Sequence, residues 1–187
     1  MTRTLLALVV LLVGCNRPDA KMNSSNLPNG WTAGDAVSND AIYSDPPAST
    51  DPTKIHLYGW RDGDHGHRLY TIPADTPVAE IVKVFEVGSK AEETYGDDAA
   101  ETIALVAEKA TGIAQLVPCR ATFADPAGLK LRFLRQITKE DLEKIEALFP
   151  EEQMMQAGLD RYASEWDGEG PILAPVLEEN QFHFWWD

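Results

Sequence analysis

The apolar positions of this chain change their spacing several times. Leu5 to Val13 is an unbroken apolar run of nine residues. Residues 16–54 then show no sustained period. They are rich in Asn, Ser, Asp, Pro and Gly, and Asp45-Pro-Pro-Ala-Ser-Thr-Asp-Pro52 lies near their end. Such a stretch cannot bury enough surface to offset its ordering entropy, so a flexible tether is expected there. Trp31, Ile42 and Tyr43 are the residues in it able to dock on a neighbouring domain.

From residue 55 the pattern becomes regular. Ile55–Trp60 and Arg68–Ile72 read as strands joined by the polar, Gly-rich loop Arg61-Asp-Gly-Asp-His-Gly-His67. Thr76 and Pro77 open a helix whose apolar stripe is Val78, Ile81, Val82 and Phe85, and Gly88 closes it. Asp98 caps a second helix, with Glu101 in the capping-box position. Ile103, Val106, Ala107 and Ala110 form its inner face, and Gly112 is the expected stop.

Ile113–Phe123 reads as a strand with Pro118 at an edge or bulge. Asp125-Pro-Ala-Gly128 makes a turn, and Leu129–Leu134 returns with Leu129, Leu131 and Phe133 inward and Lys130 and Arg132 outward. Thr138 and Asp141 open a helix lined by Leu142, Ile145, Leu148 and Phe149. A further helix is expected from Glu151, with Met155, Leu159, Tyr162 and Trp166 on one stripe. A short one is expected over Ile172–Glu179, and Gln181–Trp186 ends the chain as a strand. The order suggests an α+β domain over 55–187: an antiparallel sheet with helices mainly on one face, a ferredoxin-like arrangement being one such solution.

The start of the chain carries an address. Arg3 precedes the apolar run, which is far shorter than the roughly 20 residues of a membrane-spanning helix. A general signal peptidase would cut after Gly14 and leave Cys15 free, but it favours a small residue where Leu12 stands. The tetrapeptide Leu12-Val13-Gly14-Cys15 resembles the lipobox of bacterial lipoproteins. That resemblance implies a signal peptide over 1–14 and a diacylglyceryl thioether on Cys15, usually with an acyl chain on its amine. Two or three chains hold a protein stably at a bilayer, whereas one does not. In many Gram-negative lipoproteins an Asp after the cysteine signals inner-membrane retention. Asn16 therefore points to the outer membrane in such a cell.

Charge narrows the partners. The formal net charge is −14, and loss of the leader with Arg3 takes it to −15. This argues against nucleic acid, which needs a basic patch, and favours a basic protein partner or simply a well-solvated surface. Membrane attachment would come from the lipid on Cys15, since no polybasic stretch is present. Cys119 would be left without an intramolecular partner, as a thiol in an apolar run.

Little in the chain signals chemistry. His65-Gly-His67 with Asp62 and Asp64 is the most metal-like cluster, and His56 is a further possible ligand; zinc would need three or four such donors. The same residues equally suit a polar hairpin loop. No G-x-S-x-G elbow, P-loop or G-x-G-x-x-G turn occurs. Acidic pairs such as Glu92-Glu93 and Glu178-Glu179 read as solvated faces in a chain with 30 acids.

The terminal Phe182-His-Phe-Trp-Trp-Asp187 alternates so that His183 and Trp185 share one face as a candidate binding surface, and Phe182, Phe184 and Trp186 the other. The closing third, from Thr138-Lys-Glu-Asp-Leu142 through Phe149-Pro-Glu151 to Phe184-Trp-Trp-Asp187, resembles an uncharacterised bacterial domain family with a Phe-x-Pro-Asp-like segment and a final Trp-Trp-Asp. Here the cysteine between Phe and Pro is absent, and Glu151 stands for Asp. That resemblance implies no activity. Together these features suggest a lipid-anchored, non-enzymatic binding or interaction domain, immunity- or inhibitor-like in its sharper form, with a metal-binding protein or metal-dependent enzyme built on Asp62, Asp64, His65 and His67 as the alternative.

Overall fold

The computed structural model describes residues 27–159 and 171–186. The leader, Cys15, Asn16, the helix positions Tyr162 and Trp166, and Asp187 lie outside the described residues. Six strands form one sheet: β1 Thr32–Ala36, β2 Lys54–Gly59, β3 Arg68–Pro73, β4 Cys119–Asp125, β5 Gly128–Phe133 and β6 Gln181–Trp185, in spatial order β1-β3-β2-β4-β5-β6. Between β3 and β4 run α1 Val78–Val84, α2 Lys90–Tyr95 and α3 Ala99–Leu116. Between β5 and β6 come α4 Lys139–Glu146, α5 Glu151–Met154 and α6 Ala174–Glu179.

The domain is α+β, as the periodicity predicts, but the sheet is mixed. β2 and β4 are parallel, with Tyr58 opposite Phe123 and Gly59 opposite Ala124, and every other pair is antiparallel. Strands β2 and β3 form one hairpin and β4 and β5 another. The helices α1–α3 supply the long crossover that a parallel neighbour requires. The strands from β2, β4, β5 to β6 lie side by side in chain order, so the interleaved ferredoxin-like order is not the one adopted.

One face of the sheet meets the helices. Leu57, Tyr70, Ile72, Leu129, Leu131, Phe182 and Phe184 are buried there with Ile81, Val82, Val106, Ala110, Ile113, Leu142 and Ile145. Phe149 stacks on Phe182 at 5.5 Å, and Phe182 and Phe184 pack at 4.9 Å. Two helix starts, those of α3 and α4, follow their sequence signals; α1 does not, since Pro77 and not Thr76 takes the cap position and the Thr76 hydroxyl donates back to the Pro73 carbonyl at 2.8 Å. The Asp98 carboxylate accepts from the N–H groups of Ala100 and Glu101 at 2.8 and 3.0 Å. Thr138 and Asp141 form a reciprocal capping box, reinforced by the Arg135 guanidinium, which with these bonds holds the Asp141 carboxyl well below the usual range.

Two expectations fail for packing reasons. Gly112 does not end α3, which runs on to Leu116. The missing side chain admits Leu148, whose Cδ1 would stand 3.1 Å from a Cβ at that position. The strand therefore begins only at Cys119, with Pro118 in the short connector.

The second correction concerns the expected tether, which from residue 27 on belongs to the domain. Trp31 is buried and packs its ring 6.1 Å from Phe85. β1 pairs with β3 through Thr32–Thr71, Ala33–Tyr70 and Ala36–Arg68. All five β1 residues are exposed, which is why no apolar alternation marks the strand. After β1 the chain passes a 3-10 turn, Asn39–Tyr43, and an arm of residues 44–53. Tyr43 does not dock and is 78% exposed. Among the described residues no helix is long and apolar enough to cross a membrane.

Candidate functional site

The loop 61–67 is organised by Asp64. Its carboxylate accepts from the Arg61 N–H at 3.1 Å and from the Tyr70 hydroxyl, and it faces the Arg68 Nε at 3.5 Å. Its backbone carbonyl accepts from the Trp60 indole at 3.1 Å. Burial, and then the bond to the Asp64 carboxylate, push the Tyr70 hydroxyl pKa upward, so it remains a donor. Asp62 and His65 point to solvent.

His67 leaves the loop altogether and reaches Asp125 at the end of β4, Nε2 to Oδ2 at 3.1 Å. Its ring lies 5.5 Å from that of Phe123. The four loop residues predicted as a metal cluster are thus dispersed. Among the described residues no group of three His, Cys, Asp or Glu is placed to hold a metal ion.

The fold instead joins His67 to the other predicted site. In β6, His183 and Trp185 are half-buried and alternate with the fully buried Phe182 and Phe184, so they occupy the face turned away from the helices. Register carries this face across the sheet: Phe123 opposes Lys130, Lys130 opposes His183, Asp125 opposes Gly128, and Gly128 opposes Trp185. Gly128 is required there, since a Cβ would lie 2.7 Å from Cε3 of the Trp185 ring. The other Asp125 oxygen accepts from the Ala127 N–H at 2.9 Å, fixing the tight β4–β5 turn under His67.

Towards the opposite end of the strands the same face becomes cationic. Arg120 and Arg132 are directly opposite partners. Arg132 donates to the Glu179 carbonyl at 2.8 Å and to the Asp45 carboxylate of the arm at 3.2 Å. Lys130 is half-buried beside them, and burial lowers its pKa. His56 on β2 donates from Nδ1 to the Pro47 carbonyl at 2.9 Å. The arm therefore lies against this face, touching β5 at Asp45 and β2 at Pro47, with Pro46 buried.

Cys119 stands at the far end of β4 from Asp125, about 20 Å away in an extended strand. Burial pushes its thiol up to about 11, so it is not a primed nucleophile and has no histidine dyad with His67. The Asp125 carboxylate fixes the orientation of the His67 ring. Together with Trp185, His183 and the neighbouring cations, His67 forms one continuous surface on this side of the sheet.

Sequence reasoning placed His183, Trp185, Lys130 and Arg132 on outward positions through alternation alone. It missed Asp125, which reads as a plain turn residue, and Arg120, whose importance comes from what lies across the strand. Compared with family models, with curated proteins and with solved structures, the chain matches none.

Proposed function

We propose that this chain is a lipid-anchored protein of the cell envelope that acts by binding, with its anchor on Cys15 and its recognition surface on the sheet face turned away from the helices. The observation that supports the recognition surface is a convergence. His67 with Asp125, and His183 with Trp185, come from distant parts of the chain and meet on one face around Lys130. A partly covered Trp offers large contact area at small entropic cost, and the surrounding polar groups form the wet rim typical of interfaces.

The formal charge of −14 steers a basic protein towards the domain from a distance, and the recognition face, with Lys130 upon it, receives that partner's acidic and aromatic groups. The anchor reading rests on Leu12-Val13-Gly14-Cys15, and in a Gram-negative cell Asn16 directs the protein to the outer membrane. No cofactor is part of this reading.

Two measurements test it. Mass spectrometry of the natively produced protein should find Cys15 as the first residue, carrying a diacylglyceryl thioether; a bare thiol or another N-terminus refutes the anchor. A photo-crosslinking residue in place of Trp185 should give a discrete adduct in cells that weakens as salt rises. The same probe at exposed Glu143 on α4 should give none. Equal adducts at both places, or none at 185, refute the recognition face.

A further inference from the structure

The arm and the sheet enclose a cleft of about 210 Å³ whose walls include Pro47, Pro52, Lys54, His56 and Arg120. Its charge is anomalous for this chain. Arg120 faces Arg132 across the β4–β5 pair, and like charges directly opposite each other destabilise a sheet. Arg132 is compensated by the Asp45 carboxylate and the Glu179 carbonyl. Arg120 is not: no ion pair to it occurs among the described residues, although the chain holds 30 acids, and its buried Nε, like that of Arg132, has no hydrogen-bond partner. The one carboxylate among the lining residues, Asp51, is engaged by its own turn, with Oδ1 accepting from the Thr53 N–H at 2.9 Å and the Thr53 hydroxyl at 2.6 Å.

We infer that this cleft is a binding site for a small oxyanion, a phosphate or a carboxylate group, received by the Arg120 guanidinium with Lys54 and His56 beside it. The guanidinium fork matches either group bidentately. The volume lies below the roughly 300–1,000 Å³ of sites for drug-sized ligands, so it suits a compact anion. Prolines in the arm and the His56–Pro47 bond hold the wall in place before the ligand arrives, which lowers the ordering cost of binding. Asp51 offsets one positive charge and sets a modest affinity. The inference stands apart from the lipid anchor and from the protein partner proposed above, since its ligand is a small ion on a different part of the face.

The test uses the purified full-length protein with inorganic phosphate and, separately, malonate, each against sodium chloride at matched ionic strength. At roughly ten times Kd, a single-site ligand should raise Tm by about 3–5 °C in a domain of this size. Whichever of the two raises it more identifies the preferred geometry, tetrahedral or planar. The His56 ring resonance should shift saturably in the same titration. Arg120→Gln should abolish both responses, while its own Tm in chloride stays at or above that of the unaltered protein because the repulsion with Arg132 is gone. The site is overturned by equal Tm rises in Arg120→Gln, or by no response to either anion at tens of millimolar. A variant markedly less stable in chloride overturns the uncompensated-charge argument on which it rests.

Discussion

The two faces of this sheet obey different rules. On the helix side Leu129, Leu131, Phe182 and Phe184 meet α3, α4 and their neighbours, and nothing more than volume and polarity is asked of them. On the arm side the same strands carry Arg120 opposite Arg132, a half-buried Lys130, His183 and Trp185. Stability alone does not explain that second set. Directly opposed guanidinium groups and a desolvated ammonium both cost free energy. Residues kept at a cost to folding are the ones to examine for function, whereas the helix side explains only why the domain exists.

The largest effect expected from separating the two faces is on the helix side. Phe182→Ala removes a ring packed against Phe149 and Phe184 and should cost about 3–5 kcal/mol, seen as a lower denaturant midpoint at unchanged slope. Next comes the boundary between arm and domain. Trp31→Ala should cost about 3 kcal/mol, whereas a free tether would leave the midpoint unmoved.

The smallest change belongs to the arm side. Lys130→Met should be neutral or slightly stabilising at pH 7, within about 0.5 kcal/mol of zero or better. It should also alter the alkaline limb. The folded protein holds the Lys130 pKa below its ordinary value. Between the folded pKa and the unfolded value near 10.4, the unfolded chain therefore binds more protons, and this group makes stability rise with pH. Subtracting the variant's stability–pH curve from that of the unaltered protein should isolate that rise. A flat difference would show that Lys130 is solvated.

Much of the architecture was legible in the order of residues because local rules and tertiary packing agree. Alternation over Leu129–Phe133 and Gln181–Trp186 located β5 and β6, and Asp98 and Thr138 announced their helices. The failures share a cause. Gly112 reads as a stop until Leu148 is known to fill its gap, and Thr32–Ala36 lacks an apolar pattern because an edge strand can be held by backbone bonds and a single buried Trp. The parallel β2–β4 contact depends on where a long crossover lands, which no local signal records.

The candidate site divides in the same way. His183 and Trp185 were readable from their period of two. The grouping of His65 with His67 suggested proximity, yet the fold turns one to solvent and the other to Asp125. Arg120 became informative only beside Arg132 and the arm.

The edge position of β1 also fixes where traction would enter the molecule. A pull from the N-terminal side falls on Leu27 and Trp31 and then on the irregular β1–β3 ladder, whose register shifts between Ala33 and Ala36. Such a strand has a single neighbour, so it can part from β3 while the remaining five strands stay paired. Detachment of that one ribbon would leave the arm held to the sheet through Asp45 on Arg132 and Pro47 on His56.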